Sequence, residues 1–242
     1  MKRILCLIAA LVLFATPAFA GDNMVLAAGG GYKKMVNALA KAYKAETGKD
    51  VQLVYGNMGR VTAQAKTSGA VDMVVGAEFF FTRTKLDFAQ SLELGRGRLV
   101  LAWPKGAPGG KDPAAMLKAA SAKRIAHPDP AKAIYGRAAH QYLERTGLLP
   151  DVEKRIVVVA TVPQVFSYLS INEVDLGFLN LTHALNVRDS LGGFMELPLD
   201  KYDAITIMAG QLKTATHPQQ VEDFFHFLKT DVARKIIRDN GL

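Results

Sequence analysis

The sequence predicts an α/β protein of two lobes, each built on a β-sheet rich in parallel strands. Short apolar segments alternate with amphipathic ones almost from Met24 onwards, and half of the residues are apolar. A Gly- and Pro-rich stretch, residues 105–111, separates two such series. Because alternating strands and helices form parallel sheets with right-handed crossovers, the pattern predicts two α/β units joined through this region.

The N-terminal segment, residues 1–20, has the features of a secretory signal peptide. Two basic residues precede the apolar run 4–14, and Ala-Phe-Ala at 18–20 is typical of a cleavage site. The apolar run is too short for an ordinary membrane span, although an N-terminal anchor remains the alternative. We expect cleavage after Ala20, export to the periplasm, and loss of Cys6, the only cysteine.

Composition and motifs argue against several classes of function. The formal charge of +8 is scattered, without the basic stripe that nucleic-acid binding requires. The five histidines lack metal-ligand spacing, and the chain lacks a nucleophile elbow, a phosphate-binding loop and a dinucleotide fingerprint. We therefore expect no enzyme activity, no metal, no cofactor and no nucleic-acid partner, whereas the mild positive charge favours anionic ligands.

The first α/β series covers the N-terminal third. An apolar strand at 24–28 runs into Gly29-Gly30-Gly31, and apolar residues then recur at helical spacing up to Gly48, a residue typical of a helix end. A second strand, a turn, a helix and a third strand are predicted at 51–55, 56–59, 60–67 and 72–75. This order predicts a parallel βαβαβ unit.

The second series begins after the stretch 105–111 and the chain then closes with two helices. Further strands are predicted at 99–103, 124–126, 156–160, 176–179 and 204–208, and helices at 133–146 and 163–171. The predicted lobes are residues 21–102 with 205–242, and residues 103–204. Two crossings between lobes leave a cleft, which is a common place for a small ligand.

Five strand-to-helix turns are the candidate binding elements. They lie at residues 29–31, 56–59, 129–135, 161–163 and 180–182. A helix N-terminus offers unpaired N–H groups and a partial positive charge, both of which suit an anion. Glycine lets the backbone approach a ligand closely, although a Gly triplet before a helix is more often a simple tight turn.

A family resemblance rests on the order and spacing of several segments. They are Val25-Leu26-Ala27-Ala28, the runs 69–78 and 99–105, Asp129-Pro130, the run 175–179 and the terminal Asn240-Gly241-Leu242. With these segments nearly the whole mature chain resembles the periplasmic molybdate-binding proteins of ABC importers. The resemblance implies a type II periplasmic binding protein that closes on a tetrahedral oxyanion and delivers it to an inner-membrane permease.

The expected ligand shell departs from the family pattern. The resemblance puts Gly30 and Met58 where the family uses serine hydroxyls, and Asn180 where it uses a tyrosine hydroxyl. Tyr135 and Val162 fall where the family uses main-chain N–H groups, which any residue except proline provides. Each missing donor leaves an oxyanion acceptor unpaired, at a cost of about 1–3 kcal/mol.

Several of these positions have two possible roles. The Asn180 amide is either a replacement donor or a plain turn residue, and Arg60 is either a charged donor or a solvent-facing helix residue. Met58 is also explained by core packing, while Gly31 and Gly59 flank the two departures as backbone contacts.

The function expected from this reading is substrate binding for an ABC importer. Molybdate or tungstate is the first expected ligand, the protein is expected to be a monomer, and no cofactor is expected. The alternative is a periplasmic sensor, or a binding protein for a different anion or small organic acid. An exported enzyme is the least favoured reading, because no nucleophile–base pair or metal site is evident.

Overall fold

The computed structural model describes residues 23–242, which form two five-stranded sheets flanked by helices. The predicted signal peptide and its cleavage site therefore lie outside the described residues. The strands β1 to β10 are, in chain order, Val25–Gly29, Gln52–Gly56, Met73–Ala77, Phe88–Gly97, Leu99–Pro104, Ile125–Pro128, Ile156–Val159, Leu176–Asn180, Leu191–Glu196 and Ile205–Leu212. The helices α1 to α10 are Lys33–Thr47, Met58–Thr67, Glu78–Thr84, Pro113–Lys118, Ile134–Arg145, Leu149–Val152, Val162–Ser170, Leu181–Val187, Pro218–Leu228 and Asp231–Asp239.

The two sheets share one design. In the first, with strand order β2-β1-β3-β10-β4, β1 lies parallel to β2 and β3, and β10 runs antiparallel to β3 and β4. In the second, with order β7-β6-β8-β5-β9, β6 lies parallel to β7 and β8, and β5 runs antiparallel to β8 and β9. The predicted α/β class with parallel-rich sheets is confirmed.

The first crossing between the sheets lies earlier than the sequence suggested. Strand β4 ends at Gly97 in the first sheet, and β5 begins at Leu99 in the second, so Arg98 alone connects them. The expected boundary after Ala102 would cut β5 in its middle. We therefore propose a first lobe of residues 23–97 with 205–242, and a second lobe that begins at Leu99 and ends in the connection 197–204.

Local sequence explains the helix that carries the first turn. In α1 the residues Met35, Val36, Leu39 and Tyr43 recur at helical spacing, and all are buried in the first lobe. The helix ends at Gly48, whose φ of 74° is the left-handed conformation that glycine adopts without strain. Full burial of each large apolar side chain contributes about 1.5–3 kcal/mol.

The closing helices complete the first lobe. Tyr43 of α1 packs edge-on against Phe224 and Phe227 of α9, with ring centroids 5.0 Å and 5.7 Å apart. The main-chain N–H of Met24 donates to Gln220 of α9 at 2.8 Å, which fixes that helix beside the start of β1. Within residues 23–242 no helix has both the length and the apolar character needed to cross a bilayer.

Candidate ligand-binding cleft

Four turns from the two lobes meet at one small cavity of about 30 Å³. Each turn precedes or opens a helix. The lining residues are Gly29, Gly30, Gly31 and Tyr32 before α1, Gly56, Asn57 and Met58 at α2, Ala133, Ile134 and Tyr135 at α5, and Thr161 and Val162 at α7. The first two turns belong to the first sheet's lobe and the other two to the second. The cavity therefore lies between the lobes, where the sequence predicted a cleft.

Some of the main-chain N–H groups at these helix starts already have a hydrogen-bond acceptor. Asn57 accepts the N–H of Arg60 at 2.9 Å, and Thr161 accepts that of Gln164 at 3.3 Å. The N–H groups of Val162 and Tyr135 lie at the first and second positions of α7 and α5, where a helix has no acceptor of its own to offer. Both residues line the cavity, so their N–H groups are candidate donors to a ligand there.

The cavity is electrically neutral in its side chains. None of the lining residues carries a charge, so the groups at the cavity wall that can attract an anion are the helix N-termini. Such dipoles act strongly where water is excluded, because the local dielectric constant is low. An anion would therefore be held by oriented N–H groups and not by a lysine or an arginine.

Two tyrosines close the cleft from opposite lobes. The hydroxyl oxygens of Tyr32 and Tyr135 are 2.6 Å apart, and either group can be the donor. Both side chains are almost fully buried. Burial, together with the neighbouring Tyr135, raises the pKa of Tyr32 well above its usual value, and burial also raises the pKa of Tyr135. Both phenols therefore remain protonated at neutral pH.

Five of the eight predicted site residues line the cavity: Gly30, Gly31, Met58, Tyr135 and Val162. Gly30 faces the other lobe, since a Cβ placed on it would lie 3.5 Å from Cγ of Pro163. The Met58 side chain turns away into the first lobe. A Cβ on Gly76 would lie only 2.4 Å from its methyl carbon, and a Cβ on Gly29 would lie 3.1 Å from its sulfur.

The other three predicted residues lie beside the cavity and not on its surface. The Arg60 side chain is exposed and is not among the lining residues, although its Cδ would lie 3.7 Å from a Cβ placed on Gly56, which does line the cavity. Gly59 donates its N–H to the carbonyl of Lys132 at 3.0 Å, which makes it a contact between the lobes.

Asn180 supports the glycine turn. Its Nδ2 donates to the carbonyl of Gly31 at 3.2 Å, across the two lobes. A Cβ on Gly31 would lie 2.7 Å from Asn180 Oδ1, so glycine is needed for this close approach. One N–H of the amide that was expected to replace a tyrosine donor is therefore used by the main chain, and its buried Oδ1 has no hydrogen-bond partner among the described residues.

Further contacts hold the lobes together around the cavity. Arg83 of α3 donates to the carbonyl of Ala131 at 2.9 Å, and the Arg137 guanidinium of α5 lies 4.5 Å from the ring centroid of Phe79. At the opposite side, Asn186 of α8 donates to Asn240 at 2.9 Å. Together with the tyrosines these contacts describe a closed arrangement of the two lobes.

Sequence reasoning missed Tyr32 as a site residue. Its position fits the apolar face of the first helix, and nothing local shows that its hydroxyl meets a residue 103 positions away. A larger groove of about 470 Å³ lies elsewhere, beside Trp103 and the loop 105–112 of the second lobe. That groove contains none of the predicted site residues.

A two-sheet protein with a small cavity between helix N-termini of both lobes is a solute-binding protein of the two-lobe class. Residues 24–242 match the family model described as bacterial extracellular solute-binding protein, and the chain belongs to this family. Its members bind solutes and are not enzymes, which confirms the expectation from the sequence.

Individual relatives agree with this assignment. The chain is 28% identical over 227 residues to a putative binding protein of Haemophilus influenzae, covering 90% of both chains. It is 24% identical over 236 residues to the molybdate-binding protein ModA of Rhodobacter capsulatus, covering 94% of this chain and 90% of the relative. The periplasmic molybdate-binding protein of Azotobacter vinelandii has the same fold, with a TM-score of 0.82 at 23% identity, covering 90% of this chain and 98% of that one. The resemblance to molybdate-binding proteins is confirmed.

Proposed function

We propose that this protein is the periplasmic substrate-binding component of an ABC importer and binds a small oxyanion between its lobes. Molybdate and tungstate are the first candidates, because named molybdate-binding proteins are among the relatives. One observation carries the proposal: four helix starts from both lobes converge on one small, uncharged cavity. The partner is then a membrane permease that receives the anion.

The chemistry of the cavity fits an anion better than a cation. A helix N-terminus stabilises a nearby negative charge by about 0.3–1 kcal/mol, and by up to about 2 kcal/mol where it is partly buried. Hydrogen bonds from N–H groups to a charged oxygen contribute about 1.5–3 kcal/mol each. Four such turns around one ligand supply a favourable field without any basic side chain at the cavity.

The size of the cavity supports a compact ligand. A volume of about 30 Å³ is of the order of two water molecules, which suits a compact ligand. The two crossings between the lobes form a natural hinge through which such a ligand could enter. A large organic ligand would require much more opening than the contacts around the cavity favour.

A different small anion is the second candidate, because the ligand shell lacks donors that the family resemblance implies. Gly30 has no hydroxyl, and the Met58 side chain packs into the lobe, so two of the hydroxyl donors implied by the family resemblance are missing. A ligand with fewer acceptors to satisfy, such as a small carboxylate, would lose less from this change. The protein would then bind that acid for import or for sensing.

A ligand screen tests the proposal. The mature protein is heated with molybdate, tungstate, sulfate, phosphate, chromate or a small organic acid, and each positive result is repeated by calorimetry. A ligand at about 100 times its Kd adds about 2.7 kcal/mol to the free energy of unfolding, which raises Tm measurably. We expect molybdate or tungstate to give the largest shift. A larger response to another anion would favour the second candidate, and no response to any anion would contradict both.

A further inference from the structure

The hydrogen bond between Tyr32 and Tyr135 joins the two lobes directly. Tyr32 lies in the turn between β1 and α1 of the first lobe, and Tyr135 is the second residue of α5 in the second lobe. Their hydroxyl oxygens are 2.6 Å apart and buried. We call this pair the tyrosine bridge. Unlike the contacts at the cleft surface, it is shielded from competing water, which strengthens a hydrogen bond between neutral groups.

The tyrosine bridge lies against the hinge. A Cβ placed on Gly97 would lie 2.2 Å from the hydroxyl oxygen of Tyr135, so this oxygen rests on the last residue of β4, next to the first crossing. The same imagined Cβ would lie 2.9 Å from Ile205, the first residue of β10 after the second crossing. The bridge therefore occupies the inner end of the cleft, where both crossings meet.

Both tyrosines also belong to the turns that supply main-chain donors. Tyr135 carries one such N–H itself, and Tyr32 directly follows Gly30 and Gly31 at the cavity wall. A bond between the two side chains thus fixes the distance between a helix start of one lobe and a helix start of the other. The neighbouring residues of each turn are fixed with the tyrosine, because each turn continues directly into a helix.

We propose that the tyrosine bridge is a positioning pair, which holds the lobes closed and sets the donor turns at the spacing for an anion. The bond favours closure with or without a ligand, and the effect on affinity rests on the proposed function. If the competent state is populated to a fraction f, the apparent Kd is the intrinsic Kd divided by f. Losing the bridge lowers f and weakens every ligand by the same factor.

The first test measures lobe closure without a ligand. The radius of gyration of the ligand-free protein is measured by small-angle X-ray scattering for wild type, Tyr32→Phe, Tyr135→Phe and the double variant. Both single variants are expected to be more open, and the double variant no more open than either, because each removes the same bond. Equal radii in all four proteins would overturn the proposal.

A matched control is Tyr43→Phe. Tyr43 is also a buried tyrosine, but it packs against Phe224 and Phe227 within the first lobe. Loss of its hydroxyl is expected to leave the radius of gyration unchanged. An equal opening in Tyr43→Phe would mean that the scattering reports general loosening, and the proposal would fall.

The second test uses molybdate and sulfate as probes. A neutral hydrogen bond contributes about 0.5–1.5 kcal/mol net, so each Phe variant is expected to bind both anions about 2- to 13-fold more weakly, with an unchanged ratio of their affinities. A changed ratio would mean that a hydroxyl contacts the anion, which would overturn the positioning role. If wild type binds neither anion, molybdate and sulfate are excluded as ligands, while the scattering test still decides on the bridge.

Discussion

Gly30 and Met58 both lack the hydroxyl implied by the family resemblance, but the two positions differ physically. A side chain at position 30 would meet Pro163 of the other lobe at an ordinary contact distance of 3.5 Å. Met58 instead packs closely over Gly29 and Gly76, so a smaller residue there would leave a cavity in the first lobe. A hydroxyl can therefore be introduced at position 30 without repacking the protein, whereas at position 58 it cannot.

Gly30→Ser is expected to strengthen molybdate binding. The substitution adds a hydroxyl donor at the cavity wall, and a hydrogen bond to a charged oxygen contributes about 1.5–3 kcal/mol, so Kd should fall by at least about tenfold. Calorimetric titration of wild type, Gly30→Ser and Gly30→Ala measures the effect. The alanine variant has the same Cβ and no hydroxyl, so equal affinities of the two variants would contradict the prediction.

His183 on α8 is expected to make stability depend on pH. Its Nε2 is buried without a hydrogen-bond partner among the described residues, its ring packs edge-on against Phe166 at 5.6 Å, and burial lowers its pKa to about 4. Between about pH 6.5 and pH 4 the unfolded chain binds a proton that the folded chain excludes. The free energy of unfolding should therefore fall as the pH is lowered through this range.

Urea denaturation at several pH values tests this dependence. His183→Gln should make the free energy of unfolding less sensitive to pH between about 6.5 and 4 than in wild type. Some dependence should remain, because burial also lowers the pKa of His127. The control is His140→Gln, which changes a more exposed histidine on α5. Parallel curves for wild type and His183→Gln would contradict the assignment.

At the scale of elements, the sequence predicted those parts whose signal is local. The series β1-α1-β2-α2-β3 follows from apolar runs, glycines and helical spacing, and all five elements are present. Strand β4, which was missed, has alternating exposure along its length, but its apolar residues are interrupted by charged ones and glycines. Strand β9, also missed, begins Leu-Gly-Gly, and its pairing with β5 in the sheet outweighs weak strand propensity.

The helix starts can be tested one donor at a time. Val162→Pro removes the main-chain N–H at the first position of α7, where proline is well tolerated in a helix. We expect molybdate affinity to fall at least about tenfold, because one hydrogen bond to a charged oxygen is lost. Val162→Ala, which loses similar packing and keeps the N–H, is the control for calorimetry. Equal losses in both variants would exclude this N–H as a ligand donor.

At the scale of the whole molecule, function depends on contacts that no local pattern reveals. Tyr32 and Tyr135 meet across the lobes although 103 positions separate them, and Asn180 reaches back to Gly31 over 149 positions. The sequence could assign each turn to a lobe. Which side chains meet between the lobes depends on how the two lobes are oriented in the folded molecule. For the same reason, the sequence did not predict that Arg60 and Asn180 lie beside the cavity and not among its lining residues.

The pairing of β5 also explains why the lobe boundary expected from the sequence lies later in the chain than the one proposed from the sheets. Strand β5 lies before the Gly- and Pro-rich stretch 105–111, so its place in the sequence predicts that it belongs to the first series. Its partners β8 and β9 come much later in the chain, and only their pairing assigns it to the second sheet. Sheet membership is thus a property of the folded molecule, whereas the existence of the strand is a property of its sequence.

Anomalous scattering from a bound tungstate is the most direct test of whether a small oxyanion binds between the lobes. Crystals of the mature protein grown with tungstate would be measured at the tungsten L edge. We predict one strong peak in the cavity between the lobes, with oxygens of the tungstate within hydrogen-bond distance of the main-chain nitrogens of Tyr135 and Val162. A peak elsewhere, or none at a tungstate concentration far above the solution Kd, would contradict it.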